Sequence, residues 1–392
     1  MCSTREAILA AAEAMVPRLR ERQRECEALG RLPDATQAEF VEAGFYRILQ
    51  PRRFDGCELD LQTFYDVMAL VARGCPSSGW VLALTAGHAH TVAALFPEAT
   101  QAEVFSKDFR APFSANGHAV CTPCDGGSRL SGVWNYVSGC DFATHYIGLA
   151  TLAGSDARVF AMVPRADFRI VQDWDVLGMR GTGSHRVVVE DVFVPTGYVV
   201  PQALDLHGSR SAPGRHVHPN PLYAAGRIGA ALWGEMAAVA VGIAQGALDA
   251  YETELRGKKL SYPPFLTRSE VPEFQRHYAR AWALISSAEA GLARVAADYT
   301  SFCAAEAECD DVFSDERDAG LRLLEQQITF QAADAVDLMF RTAGTSATRS
   351  NSPLQRLFRD MSMVRTHHAA QADRGAEEFG RAHLMGDSPR AL

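Results

Sequence analysis

Two adjacent histidines, His367 and His368, close a stretch that mixes basic and apolar residues, Pro353–His368 (PLQRLFRDMSMVRTHH). Histidine titrates near neutral pH and can serve as acid, base or cation. Leu354, Leu357, Phe358, Met361 and Val364 fall at i, i+3, i+4, i+7 and i+10, which predicts one buried face of a helix. His367 lies three residues beyond Val364, close to that face, where it can look into a site between helices. A core histidine at a helix end is the plainer alternative. The other histidine pairs, His88/His90 and His216/His218, are spaced i, i+2, which does not put both rings on one helix face, so they do not predict a helical metal site. Cys121 and Cys124 form a CxxC, but no second pair or nearby histidine set completes a zinc site. They precede Gly126-Gly127, a turn signal, so a hairpin carrying two incidental cysteines is expected.

The chain has 392 residues, enough for two or three domains. Its net charge of −9 and pI of about 5.8 argue against nucleic acid as the main partner. No run of 18 apolar residues appears, so no membrane span is expected. The N-terminal MCSTREAILAAAEAM carries Glu6 and Glu13 within its apolar part and does not read as a secretory signal. The nine cysteines are irregularly spaced, which suggests reduced thiols in the cytoplasm.

Three regions must position these residues. Residues 1–108 read as an N-terminal α-helical domain. Asp60 is a plausible N-cap there, and a nearly all-apolar stretch at 77–96 predicts a buried helix. Residues 109–206 carry short alternating runs (RVFAMV, HRVVVEDVFV), with turn signals at 126–127 and 153–156, and read as a small antiparallel β domain. No GxGxxG and no strand–helix alternation occur, which argues against a Rossmann domain. Gly178–Ser184 (GMRGTGS) resembles a phosphate loop only loosely, lacking the lysine and following helix. A Ser, Pro, Gly and His-rich loop at 207–221 suggests a lid. From 207 to 392, helical patterns at about 223–254, 268–307, 316–342 and 353–385 predict a four-helix bundle.

Helices, then a small β domain, then a four-helix bundle is the order of the acyl-CoA dehydrogenase fold. Trp174–Pro195 (WDVLGMRGTGSHRVVVEDVFVP), GSRLSGVWNYVSG at 127–139 and GTSATRSNSPLQRLFRD at 344–360 resemble motifs of that superfamily. Within it, the chain resembles the flavin-dependent monooxygenases, the oxygenase components of two-component hydroxylases. Many acyl-CoA dehydrogenases place Tyr-Glu-Gly-Thr just after the Arg-Asp helix, with Glu as the base. Here that spacing from Arg359-Asp360 gives Thr366-His367-His368 and no Glu. In the related hydroxylases a histidine of this helix faces the flavin. Trp134–Gly139 (WNYVSG) resembles the strand whose serine lies beside flavin N5.

The resemblance implies reduced flavin (FMNH2 or FADH2) delivered by a separate flavin reductase, O2 as co-substrate, a C4a-hydroperoxyflavin, and hydroxylation of a small aromatic substrate by a homotetramer. An amine as substrate, in the manner of N-hydroxylases of this fold, is also consistent with it. It further implies Ser138 at N5, and His367 as a cation for reduced flavin or as a proton donor. Ser114, Ala115, Asn116, Trp134, Tyr136 and Val137 would line the flavin. Gly344, Thr345 and Ser346 would suit a phosphate or ring edge, and Arg256 would reach a flavin phosphate, even from a neighbouring subunit. Trp80, His88 and His90 would meet the substrate. Glu235, in an apolar stretch, falls near the position where some dehydrogenases carry their base, which leaves an acyl-CoA dehydrogenase-like oxidoreductase as the alternative.

Overall fold

The computed structural model describes residues 4–203, 211–309 and 312–386. Six helices come first: α1 (Arg5–Leu29), α2 (Asp34–Glu42), α3 (Leu61–Gly74), α4 (Pro76–Ala86), α5 (His88–Leu95) and α6 (Glu98–Val104). Asp60 caps α3 by accepting the Thr63 amide at 2.7 Å, as its position before an apolar-periodic run predicts. The buried stretch at 77–96 is two helices rather than one. Gly87 stands at the junction, and a Cβ there would lie 1.9 Å from Glu235 Oε2. A side chain at this point would therefore force the Glu235 carboxyl to move.

The β domain runs from β1 (Phe113–Ser114) to β8 (Val199–Pro201), with β2 at Gly117–Cys124, β3 at Gly127–Val137, β4 at His145–Leu152, β5 at Arg158–Pro164, β6 at Arg169–Val171 and β7 at His185–Pro195. The sheet order is β6-β7-β3-β2-β4-β5-β8, with β1 also paired to β4. Most pairings are antiparallel, as expected, but β1–β4 and β2–β4 are parallel. The β2–β3 hairpin turns at Gly126, whose φ of 72° suits glycine, and Gly154 serves the β4–β5 turn. Cys121 is buried and Cys124 exposed, because residues three apart on a strand face opposite sides. Both are free. Cys57 is disulfide-bonded, so the expectation of reduced thiols does not hold there.

After the short α7 (Pro213–Val217) come α8 (Gly229–Gly257), α9 (Pro272–Glu308), α10 (Asp315–Thr342), α11 (Pro353–Val364) and α12 (Ala372–Met385). The first four residues of the expected lid, His207–Arg210, lie outside the described residues. One core joins the N-terminal helices to the bundle, and a second fills the β domain. The α8 helix is long and apolar enough to cross a membrane by length and composition, yet 78% of its apolar window is buried inside the protein. The last expected helix, 353–385, breaks after Val364. His367 has extended backbone (φ −67°, ψ 144°) and caps a short 3-10 turn, His368–Ala370. The catalytic candidate thus stands in a turn between two helices, where its ring is not tied to either helix face.

Candidate functional site

The site is built where α4, the end of β3 and the turn after α11 meet. Trp80 of α4 donates its indole N–H to Ser138 Oγ at 3.1 Å. Ser138 Oγ lies 2.7 Å from Ser184 Oγ, and Ser184 Oγ lies 2.6 Å from Thr182 Oγ1. Thr182 donates to the Met179 carbonyl at 2.9 Å. Each hydroxyl has one proton, so the last bond fixes the direction of the others. Thr182 spends its proton on Met179, so it accepts from Ser184. Ser184 must then accept from Ser138. The chain runs Trp80 → Ser138 → Ser184 → Thr182 → Met179. Ser138 has used its proton and one lone pair, and retains one lone pair as an acceptor.

The C-terminal bundle holds the loop that anchors this chain. Asp360 accepts the Met179 amide at 2.6 Å, and Arg359 donates to the Leu177 carbonyl at 2.6 Å. Gly178 is pressed so closely that a Cβ would lie 2.3 Å from the Arg359 carbonyl oxygen. Glu27 of α1 accepts from Arg356 at 3.0 Å and from Arg359 at 2.6 Å. Burial pushes Asp360 up to about 6, against the pull of the Met179 amide and Arg359. The Arg-Asp motif and the GMRGTGS loop are therefore one clamp. Three regions of sequence meet there, with the serine chain as its product.

His367 faces the same place. Its ring lies edge-on to Trp80 at 5.4 Å between centroids. It lines a small cavity with Trp80, Trp233, Met236, Thr329, Val364, Ala369 and Ala370. Its Nδ1 accepts the Ala369 amide at 3.3 Å, so the neutral ring carries its proton on Nε2. Burial, and then the like charge of His368, push His367 down to about 3. It is neutral in the protein alone, so a cationic His367 needs an anion beside it. His368 is exposed and packs edge-on over Trp233 at 5.9 Å.

The remaining expected residues fall in several places. Tyr136 and Val137 adjoin Ser138, but Tyr136 is 61% exposed and Val137 is buried. Tyr136 has φ 61°, unusual for a side chain of its size, and its ring lies edge-on to Trp174 at 6.2 Å. Trp134 is fully buried, with its N–H on the Leu149 carbonyl and its ring against Tyr146 inside the β-domain core. Ser114 accepts the Asn116 amide and donates to the Asn135 carbonyl, while Ala115 and Asn116 are exposed. Gly344 and Thr345 are exposed, and Ser346 accepts from Lys258 Nζ at 2.7 Å. Arg256 is exposed and pairs with Glu252. His88 and His90 are buried. His88 Nδ1 bonds the Leu84 carbonyl and His90 Nε2 the Leu222 carbonyl, and burial pushes each down to about 4. Glu235 is buried, and burial raises it well above the ordinary carboxylate value.

Sequence reasoning missed Thr182 and Ser184, which look like ordinary turn residues until the clamp folds them under Ser138. It also missed Trp233. The signal was present in the TGS of the quoted motif, but nothing local tells which hydroxyls converge.

Known proteins share this fold. The family profile described as acyl-CoA dehydrogenase, C-terminal domain, matches residues 235–372. The chain is 33% identical to the flavin-dependent monooxygenase, oxygenase subunit HsaA, of Rhodococcus jostii (strain RHA1), over 94% of this chain and 97% of that one. The crystal structure of 3-HSA hydroxylase from Rhodococcus sp. RHA1 superposes with a TM-score of 0.87 and 30% identity, covering 98% of both chains. XiaF from Streptomyces sp. in complex with FADH2 and glycerol gives a TM-score of 0.87 at 25% identity, covering 98% of this chain and 97% of that one. With no glutamate after the Arg-Asp helix and a histidine in its place, the chain belongs to the oxygenase components of two-component flavin-dependent monooxygenases, built on the acyl-CoA dehydrogenase fold and using reduced flavin and O2.

Proposed function

We propose that the chain hydroxylates a small aromatic molecule held between Trp80, Trp233 and His367, with flavin seated against Tyr136–Ser138 and Trp174. The observation that carries this reading is the directed hydroxyl chain, which leaves Ser138 with an acceptor lone pair. Reduced flavin bears a proton on N5, and an acceptor is the partner that proton requires. The residues fit the group in a second respect. Exposed Tyr136 and half-buried Trp174 form an aromatic pair beside Ser138, suited to a flat ring system.

Bound reduced flavin activates O2 for transfer of one oxygen atom. The protein's own residues do the rest. Ser138 holds the N5 proton in place and so opposes its loss, which would release hydrogen peroxide. Trp80, by donating to Ser138, stops that hydroxyl from turning away. His367, with its Nε2 proton directed by the Ala369 amide, donates a hydrogen bond and becomes the cation when an anion lies beside it. Trp80, Trp233, Met236 and Val364 keep water out, which strengthens each of these contacts.

A separate reductase supplies the reduced flavin. In this reading the chain works in the cytoplasm as a homotetramer, supported by the exposed Tyr262, Phe265, Leu266, Trp282 and Leu324 on the bundle side. Arg256, Gly344, Thr345 and Ser346 would then meet the phosphate end of the flavin at a subunit boundary. Anaerobic titration tests the reading: reduced FMN or reduced FAD should bind more tightly than its oxidised form, without reductase present. Tight retention of oxidised flavin, together with its reduction by an acyl-CoA, would overturn it.

A further inference from the structure

The reaction described above leaves one polar residue of the cavity wall without a role. Thr329, near the middle of α10, is buried and shares that wall with Trp80, Trp233 and His367. Among the described residues that line the cavity, it brings the only side-chain oxygen. Met236 and Val364 continue the wall as apolar surface. Valine has the shape of threonine and would complete that surface with no polar atom. In a ligand pocket, the few polar groups on an apolar wall fix orientation and specificity.

The helix that carries Thr329 settles which way its hydroxyl bonds. Its Oγ1 lies 3.0 Å from the Glu325 carbonyl oxygen, one turn earlier on α10. A carbonyl oxygen can only accept, so the hydroxyl proton is committed to it. Thr329 is left with lone pairs to offer. Hydroxyl and methyl branch from the same carbon, so those lone pairs stand at the cavity wall. The other polar side chains there have the opposite character. Trp80 has given its N–H to Ser138, and His367 has its Nδ1 occupied by the Ala369 amide and carries its proton on Nε2. Trp233 can only donate.

We propose that Thr329 is a specificity-determining residue, whose hydroxyl oxygen accepts a hydrogen bond from a hydroxyl group on the bound ring. The inference rests on the aromatic-substrate reading above. A ring hydroxyl can donate to Thr329 while accepting from the Nε2 proton of His367, so two side chains of opposite role read one group. A ring with a methyl group in that place covers the threonine oxygen without bonding to it, and a site built to bond a hydroxyl rejects the analogue that lacks one. Met236 has an unbranched side chain that can move aside to admit the ring.

Para-cresol and para-xylene have matched shapes and exchange a hydroxyl for a methyl. Thr329→Val makes the same exchange in the protein. Dissociation constants of both rings, measured anaerobically with enzyme holding reduced flavin, close a double-mutant cycle. Wild type should favour para-cresol, and Thr329→Val should lower that preference about 10-fold, the worth of one buried hydrogen bond. Para-xylene should bind Thr329→Val at least as well as wild type, which a misfolded variant would not do. His367 is present in both proteins, so its contribution cancels. Thr329→Ser keeps the oxygen and should keep most of the preference. The same preference in wild type and Thr329→Val would overturn the proposal, and so would equal affinities for the two rings in wild type. Failure of wild type to bind either ring would instead overturn the aromatic reading, and this inference with it.

Discussion

Trp80 Nε1 donates to Ser138 Oγ at 3.1 Å across 58 residues of sequence, joining a buried helix to the end of a β-strand. That bond and the Ser184 bond leave the serine one role toward a ligand, as an acceptor. Ser138→Ala should still bind reduced flavin but release hydrogen peroxide faster. One lost hydrogen bond of about 1–3 kcal/mol is roughly 5- to 150-fold in the elimination rate. Trp80→Phe should leak less than Ser138→Ala, because the hydroxyl remains but is no longer oriented. Peroxide formed per reduced flavin consumed is the measurement.

His367 and His368 are neighbours with different surroundings. His367 lines the cavity, while His368 is exposed over Trp233. Replacing His367 with Ala should lower the oxygenation rate about 100-fold or more, in the range of a lost acid–base group. His368→Ala should change it by only a few-fold. Stopped-flow single turnovers of both variants decide this, and a crippled His368→Ala beside a normal His367→Ala would assign the role to the wrong ring.

The clamp predicts a structural variant with a chemical symptom. Asp360→Ala leaves the Met179 amide buried without its 2.6 Å acceptor. The expected loss of stability is about 1–3 kcal/mol, read by denaturant unfolding. Because Met179 also ends the hydroxyl chain, the folded variant should release more peroxide. Wild-type coupling in Asp360→Ala would separate the clamp from the chain.

Stability should respond to pH with opposing signs from two buried groups. Burial holds Glu235 above its ordinary carboxylate value, so its contribution is fully present at low pH and is lost as pH rises toward the folded-state value. Glu235→Gln should therefore gain on wild type with rising pH above about 4.5, by about 1.4 kcal/mol per pH unit. His90, pushed down to about 4, runs the other way: its contribution is present above about 6.5 and lost as pH falls toward 4. Unfolding curves of wild type and Glu235→Gln across this range give the slope. Parallel curves would mean that Glu235 is ionised in the folded protein.

Much of this architecture was legible because periodicity is a local signal. The α3 cap at Asp60, the turn at Gly126 and the long bundle helices follow from residue spacing alone. What was not legible depends on neighbours distant in sequence. Gly87, between α4 and α5, lies against Glu235 of a helix distant in sequence, and the turn that frees His367 from a helix is closed by its cap to Ala369 together with the Ala370 amide on the His367 carbonyl. Trp134 read as a flavin contact from its motif, yet the fold points its indole into the β-domain core toward Leu149. Alternation along a strand says which residues share a face, not which face meets the cofactor. Thr182 and Ser184 acquire direction only because Asp360 and Thr182 both bind Met179.

The central claim is that this chain transfers an oxygen atom from O2 with reduced flavin that it does not itself generate. The direct measurement is a single turnover of the protein with chemically reduced flavin, a phenol and oxygen-18 O2, without reductase, followed by mass spectrometry of the product. The account predicts one oxygen-18 atom in the hydroxylated ring, with none when the label is in water. Label arriving from water, or an unmodified phenol alongside flavin reduced by an acyl-CoA, would contradict it.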